Sequence, residues 1–149
     1  MTKDEIIAAE LQQPGWKTLF LQAQAGADEL HRWTTHIPGK DGHPVEVRFP
    51  RATTRCKSKF ATIRTDYDLN EQDVQEIRRK LSEQAADQFI HEARLRLQGM
   101  EILTTGASRI TCEITGEPGA GLYVRDGWWR TLLPEVAEIL GYVPFGRKQ

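Results

Sequence analysis

Between Asn70 and Gly99 the sequence has the pattern of a long amphipathic helix, and this stretch constrains the fold more than any other. Asn70 or Asp68 can cap its start, and Gly99 is a typical C-terminal stop. On a helical wheel, the first four apolar positions centre on one side of the helix, and the last four centre about 100° further around its axis. The drift predicts a helix over about 70–98 that either crosses a twisted sheet or bends or breaks near residues 84–87. Its apolar positions are Val74, Ile77, Leu81, Ala85, Phe89, Ile90, Ala93 and Leu97.

The segment before this helix has one helical signature followed by several strand-like runs. Thr2 and Glu5 form a capping-box pattern, and Pro14 and Gly15 end the first helical segment. Strands are predicted over 16–24 and 29–37, joined as a hairpin through the turn-like residues 25–28. After a turn over 38–42, the alternation of apolar residues predicts two more strands, over 43–49 and about 57–65.

The segment after the long helix predicts a hairpin and a final helix. Residues 109–115 alternate in polarity and 122–124 return as their partner strand. The last helix is predicted to begin near Thr131, because Pro134 is tolerated only in a first turn, and to end at Gly141. We therefore expect one α+β domain over 1–149, mainly antiparallel, in the order α-β-β-β-β-α-β-β-α. This order resembles that of small secretion chaperones, a resemblance of topology that carries over no residue.

Composition favours an ordinary water-soluble protein. The chain has 149 residues, 39% of them hydrophobic and 28% charged, with a net charge of −1. The first residues lack the basic end and apolar run of a signal peptide, and no apolar stretch reaches the roughly 20 residues that span a bilayer. We expect a cytoplasmic protein without membrane contact.

Positive charge is concentrated in residues 48–64. This stretch holds six of the twenty Lys and Arg and no Asp or Glu. The strand prediction places most of these cations toward the loop end of a hairpin. The expected contact residues of this basic hairpin tip are Arg48, Arg51, Arg55, Lys57 and Lys59, with Lys40 nearby.

Several partners would suit a basic hairpin tip. Cations that neutralise phosphates bind nucleic acid without sequence preference, and a two-stranded ribbon fits a major groove. A sequence pI near 6.4 is low for a dedicated nucleic-acid domain. An acidic protein surface would satisfy the same charges, and a solvated hairpin needs no partner. The leading expectation is a non-enzymatic binding protein that contacts nucleic acid or an acidic surface.

Trp128 and Trp129 suggest a second class of function. Neighbouring residues rarely both point into a core, so one ring is expected to stay partly exposed as a contact surface. The corresponding alternative is a protein-directed accessory factor that binds through its sheet and these rings. Inhibitors and chaperones, including inhibitors carried by mobile elements, are small single domains of this kind.

Catalytic and metal-binding patterns are weak. His36, His43 and Asp66 or Asp68 could form a small acid–base site, which is the third hypothesis. The histidines lack the spacing of a zinc site, and the glycines of 116–121 join strands rather than opening a helix as a phosphate loop would. Cys56 lies among cations that favour a thiolate, whereas Cys112 is expected to be buried. We expect no metal, no cofactor and no enzymatic activity.

Overall fold

The computed structural model describes residues 1–146. In that range the chain forms an α+β fold with antiparallel sheets, as the sequence predicts. The helices are α1 (Lys3–Ala9), α2 (Lys17–Arg32), α3 (Glu71–Lys80), α4 (Glu83–Ser108) and α5 (Pro134–Leu140). The strands are β1 (Thr34–Pro38), β2 (Pro44–Arg48), β3 (Ala52–Lys59), β4 (Thr62–Leu69), β5 (Gly121–Arg125), β6 (Trp128–Leu132) and β7 (Val143–Pro144).

The strands form three small sheets. β1 pairs with β2, β3 pairs with β4, and the third sheet has the order β6-β5-β7. β1 and β2 are antiparallel with Thr34 opposite Arg48, and β5 and β6 are antiparallel with Val124 opposite Trp129. β6 is therefore an edge strand of its sheet.

Contacts group the chain into two compact units. Unit 1 comprises Met1–Leu21, Cys56–Arg64 and Leu103–Gln149, and unit 2 comprises Gln22–Arg55 and Thr65–Ile102. Each unit has its own apolar core. In unit 1 the core packs α1 and α5 against β6 and the segment around Ile114. In unit 2 it packs α2, β2, α3 and α4, and includes Phe49 and Phe89, whose rings stack at 4.6 Å. The single domain expected from the sequence stays a prediction.

The first helix begins as predicted, but the hairpin predicted after it is wrong. Thr2 and Glu5 form the expected capping box of α1. Residues 16–24 and 29–32 do not form strands, because Lys17–Arg32 is one helix that buries Ala23, Ala27 and Leu30 at helical spacing. Gly26, taken for a turn residue, lies inside α2. A Cβ there would lie 3.2 Å from Met100 Sδ, so the glycine permits a close approach of the α4 residue.

The predicted long helix is present, with different bounds. Asn70 caps its first part, and its side chain accepts a hydrogen bond from the Asp73 amide at 3.0 Å. The chain then breaks at Leu81 rather than near residues 84–87, and Ser82 starts α4 by accepting from the Ala85 amide at 3.2 Å. α4 continues past Gly99 to Ser108, because Gly99 keeps the right-handed conformation of a helix interior.

The hairpin near the C-terminus uses different partners from those predicted. Residues 109–115 form turns instead of a strand, since the Cys112 amide bonds to the Glu117 carbonyl at 2.9 Å. β5 contains the predicted 122–124, but it pairs with β6 across the turn Asp126–Gly127. Both turn residues have positive φ, 50° and 80°, as a tight two-residue hairpin requires. The final helix therefore begins at Pro134 rather than Thr131 and ends at Gly141 as predicted.

Candidate functional site

The predicted basic hairpin tip is distributed over different elements. Arg48 ends β2, whose partner is β1, whereas Lys57 and Lys59 lie on β3, whose partner is β4. The hairpin expected between 43–49 and 57–65 is therefore wrong. Pro44–Arg48 pairs with β1 instead, and residues 57–65 are not one strand, because they contain the turn Phe60–Ala61 between β3 and β4. Arg48, Arg51 and Arg55 belong to unit 2, and Lys57 and Lys59 to unit 1. Lys40 is exposed in the β1–β2 turn of unit 2.

Arg51 is held by a carboxylate. Its Nε and main-chain N both donate to Asp73 Oδ2, at 2.8 Å and 2.9 Å, and its Nη2 donates to Oδ1 at 2.9 Å. This fork holds the pKa of the Asp73 carboxyl below its usual value, mainly through the side-chain hydrogen bonds from Arg51. The guanidinium thus joins the β2–β3 connection to the first turn of α3.

Arg55 also has an acidic partner. Its Nε lies 3.0 Å from Asp68 Oδ2, across the β3–β4 pair. Asp66 and Asp68 line a cavity of about 420 Å³ in unit 2 together with Arg55, Tyr67 and Arg94. Two of the predicted contact arginines therefore serve pairs within unit 2.

Lys57 and Lys59 are different, since both are exposed and their charges are unmatched. Within residues 1–146, neither ammonium lies within 4 Å of a carboxylate. Lys59 Nζ lies 5.6 Å from the centroid of the Phe60 ring, within the range of a cation–π contact. Phe60 and Ala61 form the turn between β3 and β4, and both have positive φ.

A concave surface in unit 1, here called the aromatic cleft, brings Lys59 together with the two predicted tryptophans. Its volume is about 860 Å³. Its large apolar side chains are Leu11, Phe60, Trp128, Trp129 and Tyr142, and its cationic ones are Lys59, Arg125 and Arg130. Several stay open to solvent, with 73% of Trp128, 67% of Phe60 and 91% of Leu11 exposed. Exposed apolar groups gathered in one concavity are typical of a binding surface.

The rings of the aromatic cleft are in contact with one another. The Trp129 ring lies 5.7 Å from that of Phe60 and meets Phe145 edge-on at 5.2 Å. Such tilted contacts are the preferred geometry of aromatic pairs and hold the exposed rings in place. Sequence reasoning identified Trp128 and Trp129 but missed Phe60, Leu11 and Phe145. The Asp126–Gly127 turn signal would have revealed the β6 strand, whereas no local signal marks Phe60.

Buried polar side chains support the aromatic cleft. Glu113 Oε1 accepts from Arg130 Nε at 3.1 Å and from Gln13 Nε2 at 2.7 Å, and its Oε2 accepts from the Thr131 amide at 2.6 Å. Arg130 also donates to the Glu10 carbonyl. Both oxygens of the Glu113 carboxylate therefore accept hydrogen bonds from groups of the protein itself.

A second arginine of the cleft is also internally satisfied. Arg125 Nη2 donates to Glu10 Oε1 at 2.6 Å, its Nη1 donates to the Leu140 carbonyl at 2.5 Å, and its guanidinium lies 4.5 Å from the Tyr142 ring centroid. Together with the pair between Arg130 and Glu113, this leaves the carboxylates that line the cleft neutralised. Among residues 1–146, the one charge of the cleft lining without a partner of opposite sign is that of Lys59.

The candidate acid–base residues do not form a common site. His43 lies beside Asp41 in an exposed turn, with Nδ1 to Oδ2 at 3.4 Å, and His36 is exposed on β1. Neither lines the cavity that contains Asp66 and Asp68. Among the described residues, no group of three His, Cys, Asp or Glu is placed to hold a metal ion. Cys56 is partly buried and Cys112 is buried, and no disulfide joins them.

Comparison with known proteins gives no further guidance. The chain matches no protein-family model, and neither a curated protein nor a solved structure resembles it significantly. None of the helices in residues 1–146 combines the length and apolar character needed to cross a membrane.

Proposed function

We propose that this chain is a non-enzymatic binding protein that engages a protein partner through the aromatic cleft. The observation that carries the proposal is the grouping of Phe60, Trp128 and Trp129, all substantially exposed, around one concavity. Aromatic side chains supply much of the energy at protein interfaces, because they bury a large area at a small entropic cost. This corresponds to the accessory-factor class.

The charge of unit 1 supports a protein partner over a nucleic acid. Unit 1 contains ten Lys and Arg against eight Asp and Glu, and unit 2 contains ten against thirteen. Neither unit carries the strong basic excess that is typical of nucleic-acid binding. The internal pairing of Arg51 and Arg55 further reduces the number of cations free for phosphate.

The proposal can be tested by selection from a phage-displayed library of random peptides on the wild-type protein. The enriched peptides are then measured against Phe60→Ala/Trp128→Ala and against Trp33→Ala, which removes an exposed tryptophan of unit 2. We expect binding to the double variant to weaken by at least about tenfold, and binding to Trp33→Ala to be unchanged. Peptides that bind the double variant as tightly as wild type, or a selection that yields none, would overturn the proposal.

Nucleic acid is the second candidate. It is favoured by Lys59 beside the exposed Phe60 ring, which can stack on a base, and by Lys57 two residues earlier on β3, neither of which has an acidic partner among residues 1–146. Fluorescence anisotropy with labelled single- and double-stranded oligonucleotides at several salt concentrations tests it. Salt-sensitive binding that drops in Lys57→Ala/Lys59→Ala, with a shallower salt slope, would support this candidate. No binding at low salt would exclude it.

A further inference from the structure

The edge of β6 is partly occupied by the protein itself. The Thr131 amide donates to Glu113 Oε2 at 2.6 Å, and the Thr131 carbonyl accepts from the Glu113 amide at 2.9 Å. The main-chain groups of Thr131 therefore point away from β5. Glu113 takes the place that a neighbouring strand would have at this position.

Two residues earlier on the same strand, the edge is open. Main-chain groups of residues i and i+2 in a strand point the same way, so those of Trp129 also point away from β5. The geometry of the hairpin leads to the same orientation. Arg125 and Trp128 flank the two-residue turn as its hydrogen-bonded closing pair, so the main-chain groups of the next residue, Trp129, face outward. In residues 1–146, no hydrogen bond outside the sheet involves the Trp129 main chain. Its N–H and C=O lie beside the exposed rings of the cleft, and no described residue binds them.

Among residues 1–146, one charge in the lining of the cleft has no partner of opposite sign, and it is positive. Glu10 and Glu113, the carboxylates that line the cleft, are bound to Arg125 and Arg130. Lys59 lines the same cleft and has no acidic partner in the described part of the chain, and Lys57 precedes it on the same face of β3. An incoming group that complements this surface carries negative charge.

We propose that the aromatic cleft binds an acidic peptide segment in extended conformation, added to the β6 edge at Trp129. This inference rests on the proposed function and specifies its partner. The main chain of the segment pairs with the N–H and C=O of Trp129 and continues the edge pairing that Glu113 makes at Thr131. An apolar side chain contacts Phe60 and Trp128, and a carboxylate contacts Lys59. Strand addition of this kind obtains affinity from main-chain hydrogen bonds and specificity from alternate side chains.

The test uses the tightest-binding peptide from the library selection, labelled for fluorescence anisotropy, with the full-length protein. The selected peptides should be enriched in Asp or Glu next to apolar residues. Lys59→Glu should weaken the binding of the acidic peptide by about tenfold or more, and it should strengthen the binding of a peptide with Lys in place of the Asp or Glu. Lys40→Glu in unit 2 is the control and should change neither affinity. N-methylation of single peptide amides should reduce binding at alternate residues, since only every second amide faces β6.

The outcomes separate the two proposals. Peptides that depend on Phe60 and Trp128 but are neutral or basic, or that are indifferent to Lys59→Glu and to N-methylation, would overturn the strand-addition inference and leave the proposed function standing. Peptides indifferent to Phe60 and Trp128 would overturn both. Oligonucleotide binding that is lost in Lys59→Glu, without acidic-peptide binding, would show that Lys59 serves phosphate instead.

Discussion

Arg130 and Glu113 form a buried ion pair, with 3.1 Å between Nε and Oε1 and side chains that are only 10% and 1% exposed. The pair joins β6 to the turn segment at residue 113, and through Gln13 it also reaches the segment before α2. Because Glu113 covers the β6 edge at Thr131, the same carboxylate sets where the open edge begins. The buried pair therefore shapes the aromatic cleft as well as stabilising unit 1.

Removing the Glu113 charge should be costly. Glu113→Gln keeps the size of the side chain but leaves the charge of the buried Arg130 guanidinium uncompensated. The new side-chain NH2 group would also face a hydrogen-bond donor, because both oxygens of Glu113 accept hydrogen bonds. We expect a loss of about 3 kcal/mol in the free energy of unfolding, measured by urea denaturation. Glu117→Gln is the control, since Glu117 is exposed and should change stability by less than about 0.5 kcal/mol. Equal urea midpoints for Glu113→Gln and Glu117→Gln would contradict a stabilising role of the ion pair between Glu113 and Arg130.

Two glycines should respond in opposite directions to the same substitution. A Cβ on Gly15 would lie 2.2 Å from the Cys112 carbonyl oxygen and 2.4 Å from the Gly116 amide nitrogen, and both are main-chain atoms. Gly15→Ala should therefore destabilise the protein by about 2 kcal/mol or more. Gly99 lies in α4 with open space around its Cβ position, so Gly99→Ala should stabilise by about 0.5–1 kcal/mol. Thermal denaturation of both variants tests the packing at Gly15.

The bond between Arg51 and Asp73 predicts a specific pH dependence. A carboxyl whose pKa is lower in the folded state stabilises the protein above its unfolded pKa, about 3.9, and this contribution is lost as the pH falls through the folded value. Asp73→Asn should lower the Tm near pH 7, and the difference from wild type should shrink below about pH 4. Asp87→Asn, which breaks the exposed pair with Arg78, should have little effect at any pH. A Tm difference between Asp73→Asn and wild type that stays constant from pH 7 to below pH 4 would argue against the ion pair between Arg51 and Asp73.

Leu81 should be intolerant of charge, although it lies outside both flanking helices. Its backbone is extended at the break between α3 and α4, and its side chain is completely buried in the core of unit 2. Leu81→Asp should cost several kcal/mol, because it places an unpaired charge among apolar groups. Ser82→Asp retains an N-cap for α4 and should be nearly neutral. If Leu81→Asp unfolds at the wild-type temperature, the break has been placed wrongly.

The fold could be predicted where local and tertiary preferences agree. The capping box at Thr2, the cap at Asn70 and the glycine at Gly141 carry their own hydrogen bonds or backbone angles, and all three are found as predicted. Residues 16–32 could not be read correctly from local pattern. Two strand-like runs joined by the turn-like residues 25–28 suggested a hairpin, but the burial of Ala23, Ala27 and Leu30 and the approach of Met100 favour a helix. Tertiary packing thus overrode the local signal.

The site was only partly accessible from sequence. The adjacent tryptophans indicated a contact surface, and both line the aromatic cleft. Phe60 lies at this cleft in a turn whose two non-glycine residues have positive φ, and no local sequence pattern predicts that conformation. Clustered cations suggested a common surface, but the strand pairing separates Arg48 from Lys57, and Asp68 and Asp73 neutralise the neighbouring arginines. Charge in sequence is a poor guide when the counter-ions lie on distant residues.

Trp128 should contribute to binding and hardly to stability. Its ring is 73% exposed, so Trp128→Ala should change the free energy of unfolding by less than about 0.5 kcal/mol while weakening the selected peptides. Circular dichroism melting of Trp128→Ala beside wild type checks the first part. A large loss of stability would mean that the ring serves packing instead of recognition.

The most direct test of the account follows the four tryptophan indole N–H signals in a two-dimensional nitrogen–proton NMR spectrum while a selected peptide is added. Single Trp→Phe variants assign the signals. Trp128 and Trp129 line the cleft, Trp33 is exposed in unit 2, and Trp16 is buried with its indole bonded to the Thr111 carbonyl at 2.9 Å. We expect the Trp128 and Trp129 signals to shift with a common, saturable Kd, while those of Trp16 and Trp33 stay fixed. A shift of Trp33 with Trp128 and Trp129 unmoved would contradict it.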